Sequence, residues 1–228
     1  SESYQYVFSA GSAGSAGDAI SIAKFAVTGE IYTWDGGTSH RTGTNVTSNS
    51  WNNIVVTHTG TERKVYLNGS LIGTFTSGNL NLNSTNVIGS YFNSNYWING
   101  KISNFQIWNT ALPETGTDSV ETLYNNGVPL TTAIASDNLK LWAKLDNTAT
   151  FSTNWSIPDA SGNGNTGTSS GMTEQNLVNN NVSVLNGESS GMTSANLVLS
   201  DLSRSLPYGD GYSFNFDQPS NDYIDCGN

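Results

Sequence analysis

The sequence predicts an all-β protein of short antiparallel strands with one short helix. Three observations carry this. Apolar and aromatic residues alternate with Ser, Thr and Asn over short stretches, the period of a half-buried strand. The 228 residues include 24 Gly, and many Asn stand beside them; both residue types favour tight turns. Hydrophobic residues are only 36% of the chain, but aromatics are 11%, with six Trp and ten Tyr. Large rings bury much area from few residues, provided that they are ordered along strands.

Taken in order, Tyr4, Tyr6 and Phe8 alternate with Gln5 and Val7, and Gly11 to Gly17 follows as a small-residue loop. Ile20, Ile22 and Phe25 open a second strand. Glu30 to Trp34 forms a third after the Thr28-Gly29 turn, and Asp35-Gly36-Gly37 reverses the chain. Ile54, Val55 and Val56 lead to His58. Lys64 to Leu67 and Leu71 to Phe75 flank Asn68-Gly69, a strong hairpin signal because a type I′ turn needs positive φ at both central residues. Val87-Ile88-Gly89 and Ile102 to Trp108 supply two more strands.

A helix of about two turns is predicted after Asp118, which has capping-box spacing to Glu121. Val120, Leu123 and Tyr124 share one face, and Gly127 can close the helix in left-handed geometry. Residues 132–137 read as a linker. Leu139, Leu141, Ala143 and Leu145 then alternate with Lys140, Trp142 and Lys144. Ser169 to Thr173 recurs as Ser189 to Thr193, and Asn176-Leu177-Val178 as Asn196-Leu197-Val198, a local duplication too short for a solenoid. Tyr212, Phe214 and Phe216, and then Tyr223 to Cys226, suggest closing strands.

Three stretches carry a family resemblance. Trp51 to His58 with Val65-Tyr66-Leu67-Asn68-Gly69, and Gly100 to Asn109 with Ala111-Leu112-Pro113 and Leu123 to Gly127, resemble the later strands of laminin G-like domains of the concanavalin A-like superfamily. Leu141 to Asp146, Asp159 to Gly167, Phe214 to Asp217 and Asp222 to Asp225 resemble the start of such a domain. The resemblance implies an antiparallel jelly-roll β-sandwich (concanavalin A-like). It assigns most of one sandwich to residues 1–131 and the N-terminal portion of one to residues 138–228. Two organisations are open: a slice through a tandem array, or residues 138–228 completing the same or a neighbouring sandwich. A half sandwich leaves strand edges unpaired, which favours completion. The Ser-Gly-Asn-Gly loop and the Ser-Gly-Met-Thr repeats are also similar to laminin G-like domains in structural proteins of marine bacteriophages. That implies an extracellular or virion-surface structural or attachment module, with other copies of itself, other virion or surface proteins, or glycans as partners. A lectin-like domain of a secreted adhesin and a glycoside hydrolase of the same fold are the alternatives.

The net charge of −10, from eight Lys and Arg against 18 Asp and Glu, argues against nucleic acid and anionic membranes, whose recognition needs clustered cations. No apolar stretch reaches membrane-spanning length. The single cysteine, Cys226, excludes an intrachain disulfide. His40 and His58 have no motif-linked Ser or Cys, and the acidic pair that hydrolases of this fold carry on one strand is missing, so the chain reads as non-catalytic.

Two kinds of binding site remain. Sugars need aromatic platforms with amide and carboxylate groups beside them. Tyr91, Asn93, Asn95, Tyr96 and Trp97 form the best candidate, and Trp34 with Asp35 a second. Ca²⁺ needs converging oxygens; Asp159, Ser161, Asn163 and Asn165 alternate in a Gly-containing loop, and Asp217, Asp222 and Asp225 are a further set.

Overall fold

The computed structural model describes residues 4–12, 19–80, 82, 86–92, 96–179, 212–216 and 223–226. Its strands are β1 (Tyr4–Gly11), β2 (Ala19–Phe25), β3 (Glu30–Trp34), β4 (Ser39–Asn45), β5 (Ile54–Thr59), β6 (Glu62–Leu67), β7 (Ser70–Thr76), β8 (Asn86–Ile88), β9 (Gly100–Ile102) and β10 (Phe105–Trp108). After a short helix, α1 (Val120–Tyr124), come β11 (Leu139–Ala143), β12 (Thr150–Phe151), β13 (Trp155–Ile157), β14 (Gly167–Ser170), β15 (Leu177–Asn179), β16 (Tyr212–Phe216) and β17 (Tyr223–Asp225).

They form a β-sandwich. One layer is a nine-stranded sheet in the order β12-β13-β14-β17-β8-β1-β2-β3-β4. Facing it are three ladders, β15-β16-β9, β10-β11 and β5-β6-β7. Every named pair is antiparallel, and three ladders join early strands to late ones. Phe105 pairs with Ala143 in β10-β11, Phe214 with Ile102 in β16-β9, and Ile224 with Ile88 in β17-β8. The largest core follows the same pattern, since Phe8, Ile88 and Ile102 pack with Leu141, Ile157, Phe214, Phe216 and Ile224. Phe214 and Phe216 are fully buried, and each such ring contributes about 1.5–3 kcal/mol relative to exposure.

The β1 strand departs from simple alternation. Its register against β2 shifts between Tyr6 and Phe8, so Tyr6 lies opposite Ala23 and Phe8 opposite Ile22. Such a bulge moves later side chains to the other face. Tyr4 and Tyr6 point away from the opposing ladders and Phe8 and Ala10 point into the core, where the sequence pattern had put Tyr4, Tyr6 and Phe8 together.

The hairpin at Asn68-Gly69 has the predicted turn, with φ of 50° and 77°. A side chain at Gly69 would also strike Tyr124, because a Cβ there would lie 2.8 Å from its ring. The predicted strand from Ile102 to Trp108 is broken into β9 and β10 at Asn104, whose φ is 56°.

The helix is capped by Ser119 rather than Asp118. Ser119 Oγ accepts the Thr122 N–H at 3.1 Å, while Asp118 accepts from the Ala135 N–H at 2.8 Å. Asn125, at φ 43°, ends α1 two residues before Gly127. Residues 132–137 are fastened to the body, with the Trp108 indole N–H donating to the Ile134 carbonyl. Val120 and Leu123 pack with Val55, Tyr66, Trp108 and Leu112, so the helix lies on the side of β5, β6 and β10 that faces away from the nine-stranded sheet.

Candidate functional site

Because β1 turns Tyr4 and Tyr6 outward, three adjacent strands place aromatic rings on the outer face of the nine-stranded sheet. Tyr6, Phe25 and Tyr32 are buried there, with Tyr4, Trp34 and Tyr91 packed against them. Tyr4 stacks on Phe25 at 4.9 Å and on Tyr32 at 5.3 Å between ring centroids. Offset and edge-on ring pairs at such distances are mutually stabilising. Arg41 lies 4.4 Å above the Phe25 ring and is forked onto the Glu30 carboxylate, which sets a charged rim beside the rings.

Tyr91, Phe92 and Tyr96 lie on this same face. Tyr6 donates its N–H to the Tyr96 carbonyl at 3.0 Å, and Tyr6 and Trp97 form a parallel bridge. Ser9 anchors the other end, since its hydroxyl donates to the Ser90 carbonyl and accepts the Phe92 N–H. Tyr91 therefore meets Trp34 at 5.8 Å and Tyr6 at 4.8 Å, and Tyr96 meets Tyr4 at 5.8 Å. Phe92 and Tyr96 both hold left-handed backbone, at φ 46° and 55°. For bulky residues this conformation is strained by roughly 1–2 kcal/mol, and such strain clusters at functional sites. Tyr96 is 40% exposed, and Tyr4, Trp34, Tyr91 and Phe92 are half-exposed.

Burial first, then neighbouring phenols, raises the Tyr6 hydroxyl above its ordinary value, and burial raises Tyr91. These phenols stay protonated at neutral pH and act as donors as well as acceptors. A cluster of ring faces with hydroxyl edges can stack against the apolar C–H face of a ring-shaped polar molecule and hydrogen-bond its rim.

The structure thus brings the rings of Trp34, Tyr91 and Tyr96 together from the sequence-derived candidates, and ties Trp97 to them through its backbone bridge to Tyr6. Asn93 and Asn95 lie outside the described residues. Tyr4, Tyr6, Phe25 and Tyr32 were missed by sequence reasoning, although aromatic residues at alternate positions of three consecutive strands were the available signal.

Asp35 does not belong to this face. It is 1% exposed, and its carboxylate accepts the N–H groups of Gly37 and Thr38 and bonds His40 and Ser77. The chain turns after Trp34, and the carboxylate locks that turn. Burial opposes its ionisation, but the four hydrogen bonds outweigh burial and hold it at about 2. A Ser, a His and an Asp meet here, yet the wiring differs from that of a nucleophilic triad: both Ser77 Oγ and His40 Nε2 bond the carboxylate, whereas activation needs the Ser on the His. His58 is paired with the Gly78 carbonyl at 3.0 Å.

The residues proposed for Ca²⁺ use their polar atoms on the chain itself. Asp159 accepts the N–H groups of Trp142, Ser161 and Asn165 at 2.9–3.0 Å. Asn163 and Asn165 donate their amides to the Leu139 and Lys140 carbonyls, and Ser161 Oγ donates to the Lys140 carbonyl. This set clips the loop onto β11. Asp217 and Asp222 lie outside the described residues.

A family model described as the concanavalin A-like lectin/glucanases superfamily, of laminin G type, matches residues 1–116. The chain belongs to this superfamily. No curated protein sequence matches it. Among solved structures, the concanavalin A-like chain resembles a Bacteroides ovatus protein provisionally assigned as carbohydrate-binding, with 19% identity and a TM-score of 0.51 over 71% of this chain and 50% of that one. It therefore spans half the length of that protein, and the likeness is one of fold. A second match is an S-layer domain-containing protein of Clostridium thermocellum, with 20% identity over 54% of this chain and 64% of that one and a TM-score of 0.29, below what a shared fold requires. Among the described residues, no helix is long and apolar enough to cross a membrane.

Proposed function

We propose that this chain is a non-catalytic attachment module whose outer aromatic face binds carbohydrate. The observation that carries the reading is the convergence of Trp34, Tyr91 and Tyr96, from separate stretches of sequence, on one half-open face built over Tyr6 and Tyr32. The provisional carbohydrate-binding assignment of the Bacteroides ovatus protein agrees with it. The module sits on an exterior surface, that of a virion or a secreted adhesin, a placement implied by the resemblance of its Ser-Gly-Asn-Gly loop and Ser-Gly-Met-Thr repeats to laminin G-like domains of phage structural proteins. Residues 138–228 complete the sandwich begun at residue 1, a reading supported by the ladders β10-β11, β16-β9 and β17-β8.

A glycan array probed with the 228-residue chain and with Tyr96→Ala tests the binding function. Tyr96 is exposed enough for its truncation to leave the fold intact, so the variant should bind the same glycans about tenfold more weakly, the loss expected of an aromatic anchor. Absence of binding to every glycan, or unchanged binding by the variant, rejects this face as the site.

A further inference from the structure

Given the carbohydrate reading proposed above, on which this rests, we infer that the aromatic face takes one soluble, uncharged oligosaccharide chain laid diagonally across β1, β2 and β3, not a single sugar and not the surface of an insoluble polysaccharide. Trp34, Tyr91, Tyr96 and Tyr4 follow one another at centroid steps of 5.8, 6.0 and 5.8 Å. Tyr96 is exposed and the other three are half-exposed, so each ring of the row has surface to offer.

The strand register gives the reach of this row. Trp34 lies opposite Ser21 on β2, whereas Tyr4 lies opposite Phe25. Four residues of β2 separate those positions, so the two ends stand about 13 Å apart along the strands at roughly 3.3 Å per residue. Trp34 and Tyr4 also belong to the strands on either side of β2, which makes the row diagonal and longer still. A sugar ring is close in size to one aromatic ring. A row of this length is therefore matched by a chain of several sugars.

The tilt of the rings separates a dissolved chain from a solid. Successive rings meet at 62°, 70° and 87°, so no two neighbours share a plane. A flat polysaccharide surface can lie on several rings at once only if they are coplanar. A single chain turns about each glycosidic bond and can follow rings set at steep angles, with phenol hydroxyls beside it as donors and acceptors. Charge narrows the class further. Arg41 and Glu30 stand at the Tyr4 end, against Phe25, and are forked onto each other. The rim thus presents no net charge to attract a carboxylated or sulfated sugar.

Calorimetry of the 228-residue chain with the mono- to hexasaccharides of the glycan that binds best on the array tests this. That glycan should be neutral, and affinity should rise about tenfold with each added sugar until the row is covered, then level off. Trp34→Ala, at one end of the row, should weaken the tetrasaccharide about tenfold and leave the disaccharide unchanged, whereas Tyr96→Ala should weaken every length. Tyr4→Ala, at the opposite end, should repeat the effect of Trp34→Ala, and thermal melts establish that the variants are folded. A monosaccharide that binds as tightly as the tetrasaccharide, a best glycan that is acidic, or binding to the insoluble polymer that the soluble chain does not displace would overturn the inference and leave the carbohydrate reading standing. Absence of binding to every glycan would overturn both.

Discussion

Tyr6 and Phe8, two residues apart on β1, point to opposite faces of the nine-stranded sheet. One joins the outer aromatic cluster and the other the core between the layers. The bulge at Val7 thus serves both the fold and the candidate site.

Separate truncations should separate the two roles. Phe8 is 6% exposed in the main core, and Phe8→Ala is expected to lower the unfolding free energy by about 3–5 kcal/mol. Deletion of Val7 makes Tyr6 and Phe8 consecutive, which regular alternation still sends to opposite faces, so it should cost less than Phe8→Ala. Denaturant unfolding of both variants checks this; a Val7 deletion that costs more than Phe8→Ala contradicts the bulge.

Acid should weaken the β3–β4 turn over a defined range. The folded-state pKa of Asp35, about 2, lies below its ordinary value of 3.8. The stabilisation is therefore complete above about pH 4 and lost as pH falls through the folded value, amounting to about 2 kcal/mol. Asp35→Asn should be less stable at pH 7 and should lose that part of the acid dependence, as read by urea unfolding at several pH values. Equal acid profiles for the two proteins would show that the carboxylate is not held this way.

Arg63 is fully buried, and its three guanidinium nitrogens have no hydrogen-bond partner among the described residues. Burial brings its pKa down to about 10 against the opposing pull of Asp35. Replacing an uncompensated buried charge by an apolar side chain of similar reach is often stabilising by about 1–4 kcal/mol. Arg63→Met should raise the melting temperature, and a clear fall would show that the guanidinium is paired in solution.

The Cys226 thiol is buried, and burial, then Asp225 and Asp159, pushes its pKa up to about 12. It should resist alkylation at pH 8 in the native protein and react once urea unfolds it. Rapid native labelling, followed by mass spectrometry, would contradict the placement of Cys226 in the core.

Much of this fold is local in origin, and that part was legible. The Asn68-Gly69 hairpin, the alternation of Phe214 with Phe216 and the aromatic run around Tyr91 each declare themselves within a few residues. What was not legible depends on partners far along the chain. Nothing near Val7 signals a bulge, because the bulge answers to β2. Asp35 reads as a neighbour of Trp34 until Ser77 arrives from the end of β7 to bury it. The bonds of Asp159 and Asn163 to backbone groups on Leu139, Lys140 and Trp142 were not legible either, because those groups lie about twenty residues away.

The most direct test of the aromatic face is an NMR titration with a glycan selected from the array, following aromatic ring signals. Carbohydrate bound on this face should shift Tyr4, Trp34, Tyr91, Phe92 and Tyr96 together and leave Trp108, on the helix side of the sandwich, unmoved. Shifts confined to other residues, or rings that stay still while the glycan binds, would contradict it.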